Sequence, residues 1–100
     1  MSTQHNDSVS IAIFYRQVRD FVEKTPVWGR AIRYQTKPDE RFDMTLISRR
    51  VYGRPDEFLT VMAAAGLDAV EQALPEQLLI LPTEAQLSAI KTSSRFGSNF

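Results

Sequence analysis

Residues 42–67, FDMTLISRRVYGRPDEFLTVMAAAGL, restrict the chain most: their spacing and punctuation predict two short helices meeting at a tight corner. Asp43 has the side chain of a good N-cap, and Met44, Ile47 and Val51 follow at the i, i+3, i+7 spacing of one helical face. Tyr52-Gly53 ends that helix, because glycine adopts the left-handed conformation of a C-cap without a Cβ clash. Pro55 suits a first helical turn, where its missing N–H would have had no partner. Asp56 and Glu57 put negative charge at the positive end of the helix dipole. Phe58, Val61, Met62 and Ala65 then repeat at i, i+3, i+4, i+7, and Gly66 closes the second helix.

The flanking segments read less sharply. Ser8 is a candidate cap for a helix reaching about Lys24, with Ile11, Phe14, Tyr15, Val18, Phe21 and Val22 as its apolar stripe and Ile13 widening it. Arg16, Gln17, Arg19 and Asp20 fall on its other face, and Thr25-Pro26 stops it. After the connector Val27-Trp28-Gly29, residues 31–36 alternate as a half-buried strand, with Ile32 and Tyr34 inward. Residues 37–40 read as a polar turn, and residues 68–73 as a short helical turn limited by Pro75. The run Leu78 to Leu81, ended by Pro82, is the second expected strand. Thr83 and Gln86 have the spacing of a capping box, so a short helix carrying Leu87 and Ile90 is expected, followed from residue 92 by a polar tail. No internal repeat or low-complexity segment is visible.

Composition narrows the functional classes. Twelve basic residues balance twelve acidic ones, which argues against non-specific nucleic-acid binding. A DNA reader built on the helix–corner–helix is disfavoured for the same reason, and because Arg54-Pro55 interrupts the corner. The absence of cysteine excludes disulfides and thiolate metal sites. No apolar run is long enough to span a bilayer, and MSTQHNDS lacks the basic start and apolar core of a signal peptide, so a soluble chain is expected. The single histidine, His5, lies in the polar N-terminal segment, so a Ser/His or metal site would have to recruit it from afar. Asp39, Glu40 and Asp43 are explained by turn formation and helix capping. Arg49, Arg50 and Arg54 cluster at the corner, either as a solvated face or as a docking patch for an acidic partner.

Together these segments resemble the LysM-like domain of bacteriophage tail and baseplate proteins, over residues 31–82. In that family a capped first helix ends in Tyr-Gly, a second helix starts at Pro and carries a large aromatic, and a leucine-rich strand ends in Pro. Those features fall here on Asp43, Met44, Ile47, Val51, Tyr52-Gly53, Pro55, Phe58, Val61, Leu67, Leu74, Leu79, Leu81 and Pro82. Glycan-binding members open the first helix with Gly-Asp-Thr and carry Asn late in the second. This chain has Arg41-Phe42-Asp43 and Ala65, and Glu76 replaces a glycine before the last strand.

The resemblance implies an α+β fold: a small LysM-like βααβ module over residues 31–82, an added N-terminal helical arm over 1–30, and a short helix with an extended C-terminal tail over 83–100. It implies a non-enzymatic structural adaptor of a phage tail or baseplate, made in the host cytoplasm and carried in the virion. Its partners would be neighbouring wedge, tube or sheath subunits in a symmetric ring, with no cofactor, metal, nucleic acid or membrane. The candidate interface residues are Phe14, Tyr15, Arg16, Trp28, Arg49, Arg50, Arg54, Arg95, Phe96 and Phe100. A peptidoglycan-binding module at the tail tip is the alternative.

Overall fold

The computed structural model describes residues 8–69 and 71–94. These residues form four α-helices and one two-stranded antiparallel sheet, an α+β arrangement. In chain order they are α1 (Ser8–Lys24), β1 (Ile32–Gln35), α2 (Met44–Tyr52), α3 (Phe58–Ala65), β2 (Leu78–Leu81) and α4 (Glu84–Ser94). Single 3₁₀ turns, Pro38–Glu40 and Pro55–Glu57, introduce α2 and α3.

The punctuation of the central stretch acts as its chemistry requires. Asp43 Oδ1 accepts the Leu46 amide at 3.2 Å, capping α2. Gly53 ends α2 at φ 76°, and Gly66 ends α3 at φ 75°. At Gly66 the amides of Gly66 and Leu67 return to the carbonyls of Ala63 and Met62, the two bonds of a Schellman motif. Ser48 holds the corner from below: its hydroxyl donates to the Arg54 carbonyl and accepts the Glu57 amide at 3.0 Å.

Strands β1 and β2 pair with Ile32 opposite Leu81 and Gln35 opposite Leu78. Thr36 extends the pairing, its amide bonding Gln77 O at 2.9 Å and its hydroxyl accepting the Gln77 amide at 2.8 Å. Alternation turns Tyr34, Leu79 and Leu81 toward the helices, and leaves Arg33, Gln35, Leu78 and Ile80 on the outer face.

Helix α1 is not a separate arm. Phe14 and Val18 enter the same core as Ile47, Val61, Leu74, Leu79, Leu81 and Leu87. The expected boundary at residue 30 therefore does not divide two packing units. Two short helices and a narrow ribbon leave apolar surface open, and α1 covers it. Two side chains of α1 one turn apart fasten it to the end of α3. Arg19 Nη1 donates to the carbonyls of Ala63 and Ala64, both at 3.0 Å, and Tyr15 Oη donates to Leu67 O at 2.6 Å. A cation there gives the Ala64 carbonyl a partner, adds a second to Ala63 O beside the Gly66 amide, and favours the negative helix end. Arg19 thus faces α3 rather than solvent, and Ile13 stays outside the core.

Two other expectations change. No helix forms at the described positions of residues 68–73; the expected turn is reduced to one backbone bond, Gln72 N to Ala69 O at 3.2 Å, while Gln72 Oε1 accepts the amides of Asp68 and Ala69. Helix α4 has the expected capping box, Thr83 N to Gln86 Oε1 at 2.8 Å and Gln86 N to Thr83 Oγ1 at 3.3 Å. It continues through Thr92 and Ser93 to Ser94, which the sequence reading assigned to the tail.

Candidate functional site

Proline-containing turns account for two buried carboxylates. Lys37-Pro38-Asp39-Glu40 and Arg54-Pro55-Asp56-Glu57 are the same pattern used twice, a short repeat that corrects the expectation of no internal repeat. In each, an extended basic residue precedes the proline, the aspartate stays at the surface, and the glutamate turns inward. Glu40 is 0% exposed; it accepts the Lys37 amide at 2.6 Å, Arg50 Nη1 at 2.6 Å and the Tyr34 hydroxyl. Glu57 is 3% exposed and accepts Arg54 Nη2 at 2.8 Å, Lys91 Nζ and Thr60 Oγ1 at 3.3 Å. Arg54 also binds Glu84 in α4, at 2.8 and 3.0 Å. Both networks are closed upon themselves, which suits holding elements together.

Two of the three corner arginines are therefore occupied. Arg50 grips Asp39 and Glu40, and Arg54 grips Glu57 and Glu84, whereas Arg49 lies exposed at the surface. Phe14, 1% exposed, is a core residue and is not presented to a partner, which corrects its assignment to an interface. Tyr15 is half-buried with its hydroxyl committed to Leu67. Arg16 is exposed beside a shallow groove of about 480 Å³ that it lines with Ile11, Ala12, Tyr15, Met62 and Asp68. Arg95, Phe96, Phe100 and His5 lie outside the described residues. Among the described residues, no group of three or more His, Cys, Asp or Glu side chains could hold a metal ion, and no helix is long and apolar enough to cross a membrane.

Trp28 is placed differently from all of these. It is 86% exposed and follows Val27, which is 87% exposed. Yet the connector beneath them is pinned. The Gly29 amide bonds Pro26 O at 2.9 Å, and a Cβ at Gly29 would stand 2.8 Å from Pro26 Cδ, so this turn requires glycine. Arg33 Nη2 on β1 donates to Pro26 O at 3.0 Å and Val27 O at 2.9 Å. Gln86 Nε2 on α4 donates to Arg30 O at 2.9 Å. Sheet and helix thus hold out two large apolar side chains that contribute nothing to the core, the arrangement of an interface anchor.

The electrostatics set a pH range for the fold. Hydrogen bonds from Arg50 hold Asp39 below its ordinary value of 3.8, the Thr45 hydroxyl does the same for Asp43, and Arg54 holds Glu84 below 4.5. Burial raises Tyr34 and Tyr52 above 10.0. A depressed carboxylate stabilises the fold above its unfolded value, and that stability is lost as pH falls through the folded value. A raised tyrosine stabilises the fold below pH 10.0, and that stability is lost as pH rises further. Urea midpoints followed across pH should therefore form a plateau, falling below the carboxylate values of 3.8 to 4.5 and again above 10.0. A midpoint that keeps rising into acid would contradict these assignments.

The described chain is thus a small α+β protein with closed internal charge networks and a rigid apolar projection. No protein-family model, curated protein or solved structure matches it.

Proposed function

We propose that the chain is a structural adaptor of a phage tail or baseplate, a LysM-like module that joins neighbouring wedge, tube or sheath subunits and travels in the virion. The observation that carries this reading is the pinned Val27-Trp28 projection. Exposed apolar residues on a mobile loop would cost entropy to order on binding, whereas a connector fixed by Arg33, Gln86 and the Gly29 turn is ordered beforehand. Support for the family part of the reading comes from the strand–helix–helix–strand order between Ile32 and Leu81, with the corner at Tyr52-Gly53. In a symmetric ring, weak contacts repeated around the axis add by avidity.

Trp28→Ala tests the reading directly. Because the side chain is so exposed, its loss should leave thermal unfolding unchanged while incorporation into assembled tails falls sharply. Normal incorporation of the variant would overturn the adaptor role of this surface. Retention of the wild-type chain on purified cell wall would instead favour the peptidoglycan-binding alternative.

A further inference from the structure

The two ends of the β ribbon differ in charge as well as shape. The connector precedes Ile32 and the 66–77 loop precedes Leu78, so the antiparallel register places them at opposite ends. Along the chain, charge is sorted: residues 55–90 contain six acidic residues and no basic one, while residues 24–33 contain Lys24, Arg30 and Arg33 and no acidic one. Folding preserves this sorting. At the connector end Glu84 is taken by Arg54 and Glu23 pairs with Arg19 at 3.6 Å, so that Lys24, Arg30 and Arg33 outnumber the one remaining exposed carboxylate, Asp20. At the loop end the exposed cations Lys37 and Arg41, 5.4 and 5.6 Å from the Tyr34 and Phe42 ring centroids, are outnumbered by the exposed carboxylates of Asp68, Glu71 and Glu76.

Beside Asp68, at this second end, lies the groove of Ile11, Ala12, Tyr15, Arg16 and Met62. Its α1 residues sit on the order of 15 Å up the helix from Lys24, at 1.5 Å per residue, so the connector of the same copy lies at the far end of α1. Resting on the adaptor reading, we infer that the partner of Trp28 is a second copy of this chain, whose α1–α3 groove receives the indole while its Asp68, Glu71 and Glu76 meet Lys24, Arg30 and Arg33. The groove walls are apolar, and Arg16 on its rim offers a cation to the aromatic ring. Knob and groove are different patches, so the contact is heterologous: each copy keeps one free end, and a chain of copies closes into a ring or grows as a filament.

The indole of Trp28 reports on its own burial, since the chain has no other tryptophan. With rising concentration of the full chain at low salt, its emission should shift to the blue as sedimentation shows larger species. Both changes should reverse in molar salt, where the Debye length shrinks to ~3 Å. Two variants then separate the ends: Trp28→Ala with Arg30→Glu disables the knob, and Ala12→Arg with Glu71→Arg blocks the groove. Each should stay monomeric alone. Mixed, they should form a one-to-one complex that grows no further, because one working knob and one working groove remain between them. Emission that stays at its exposed wavelength at every concentration, or a mixture that remains monomeric, overturns the inference. The two readings fail separately: if the groove-blocked chain enters particles normally while Trp28→Ala does not, the second-copy inference falls, the adaptor stands and its partner is another protein; if Trp28→Ala also enters normally, the adaptor role of this surface falls.

Discussion

Replacing Glu57 by alanine is expected to cost about 3 kcal/mol of stability, whereas replacing the adjacent Asp56 is expected to cost almost nothing. The carboxylate of Glu57 is shut away from water and gathers Arg54, Lys91 and Thr60 around it. Its loss removes the anion that ties the α2–α3 corner to α4, leaves the Thr60 hydroxyl without that acceptor, and opens a void. Asp56 makes only a 3.6 Å contact with Arg54 at the surface. In a domain of this size, about 3 kcal/mol lowers the melting temperature by on the order of 10–20 °C. Because the tetrapeptide is used twice, Glu40→Ala should behave like Glu57→Ala, whereas Asp39→Ala should cost more than Asp56→Ala and less than Glu40→Ala, since Asp39 alone of the two aspartates holds an arginine through two hydrogen bonds, at 2.9 and 3.1 Å. Thermal unfolding of the four variants checks this; equal losses for the glutamate and aspartate of one turn would show that the inward carboxylates are not what holds the elements together.

Phe14→Ala is expected to cost about 3–5 kcal/mol, the range for truncating a buried aromatic. Phe14 lies among the core residues shared by α1, α3 and α4, and nothing nearby can collapse without moving a whole helix. The measurement is a urea titration of Phe14→Ala beside Ile13→Ala, one residue away on the outer flank of α1, where a loss within about 1 kcal/mol is expected. Similar small losses for both would return α1 to the status of a detachable arm. A large loss confined to Phe14 makes α1 an integral wall of the core.

What could be read from the chain beforehand follows the range of the interactions involved. Asp43, Gly53 and Gly66 act on amides and dihedrals within four residues of themselves, so their roles were visible in local spelling. The strands were visible too, since alternation at 32–35 and the apolar run at 78–81 reflect burial of one face. Arg19 and Tyr15 could not be placed, because their partners at the end of α3 lie 44 to 52 residues away. Glu40 looked like a turn residue and Glu57 like a charge serving the helix dipole: charged side chains ordinarily face water, and only the distant Arg50 and Lys91 make burial tolerable. The repeated tetrapeptide was the available clue. Gln72 was equally hidden, for a side-chain oxygen that accepts backbone amides leaves no periodic mark. For Trp28, composition flagged an unusual residue, but its exposure depends on Arg33 and Gln86 reaching the connector from other elements.

The Gly29 turn bears on how an assembly containing this chain would correct its errors. On the adaptor proposal, a backbone that is already held in position surrenders little freedom when a neighbour closes over it, and regains little when the neighbour leaves. Such a joint can form and release repeatedly without the chain having to refold. Misplaced subunits then depart before they are trapped, and only those engaged on several sides at once remain.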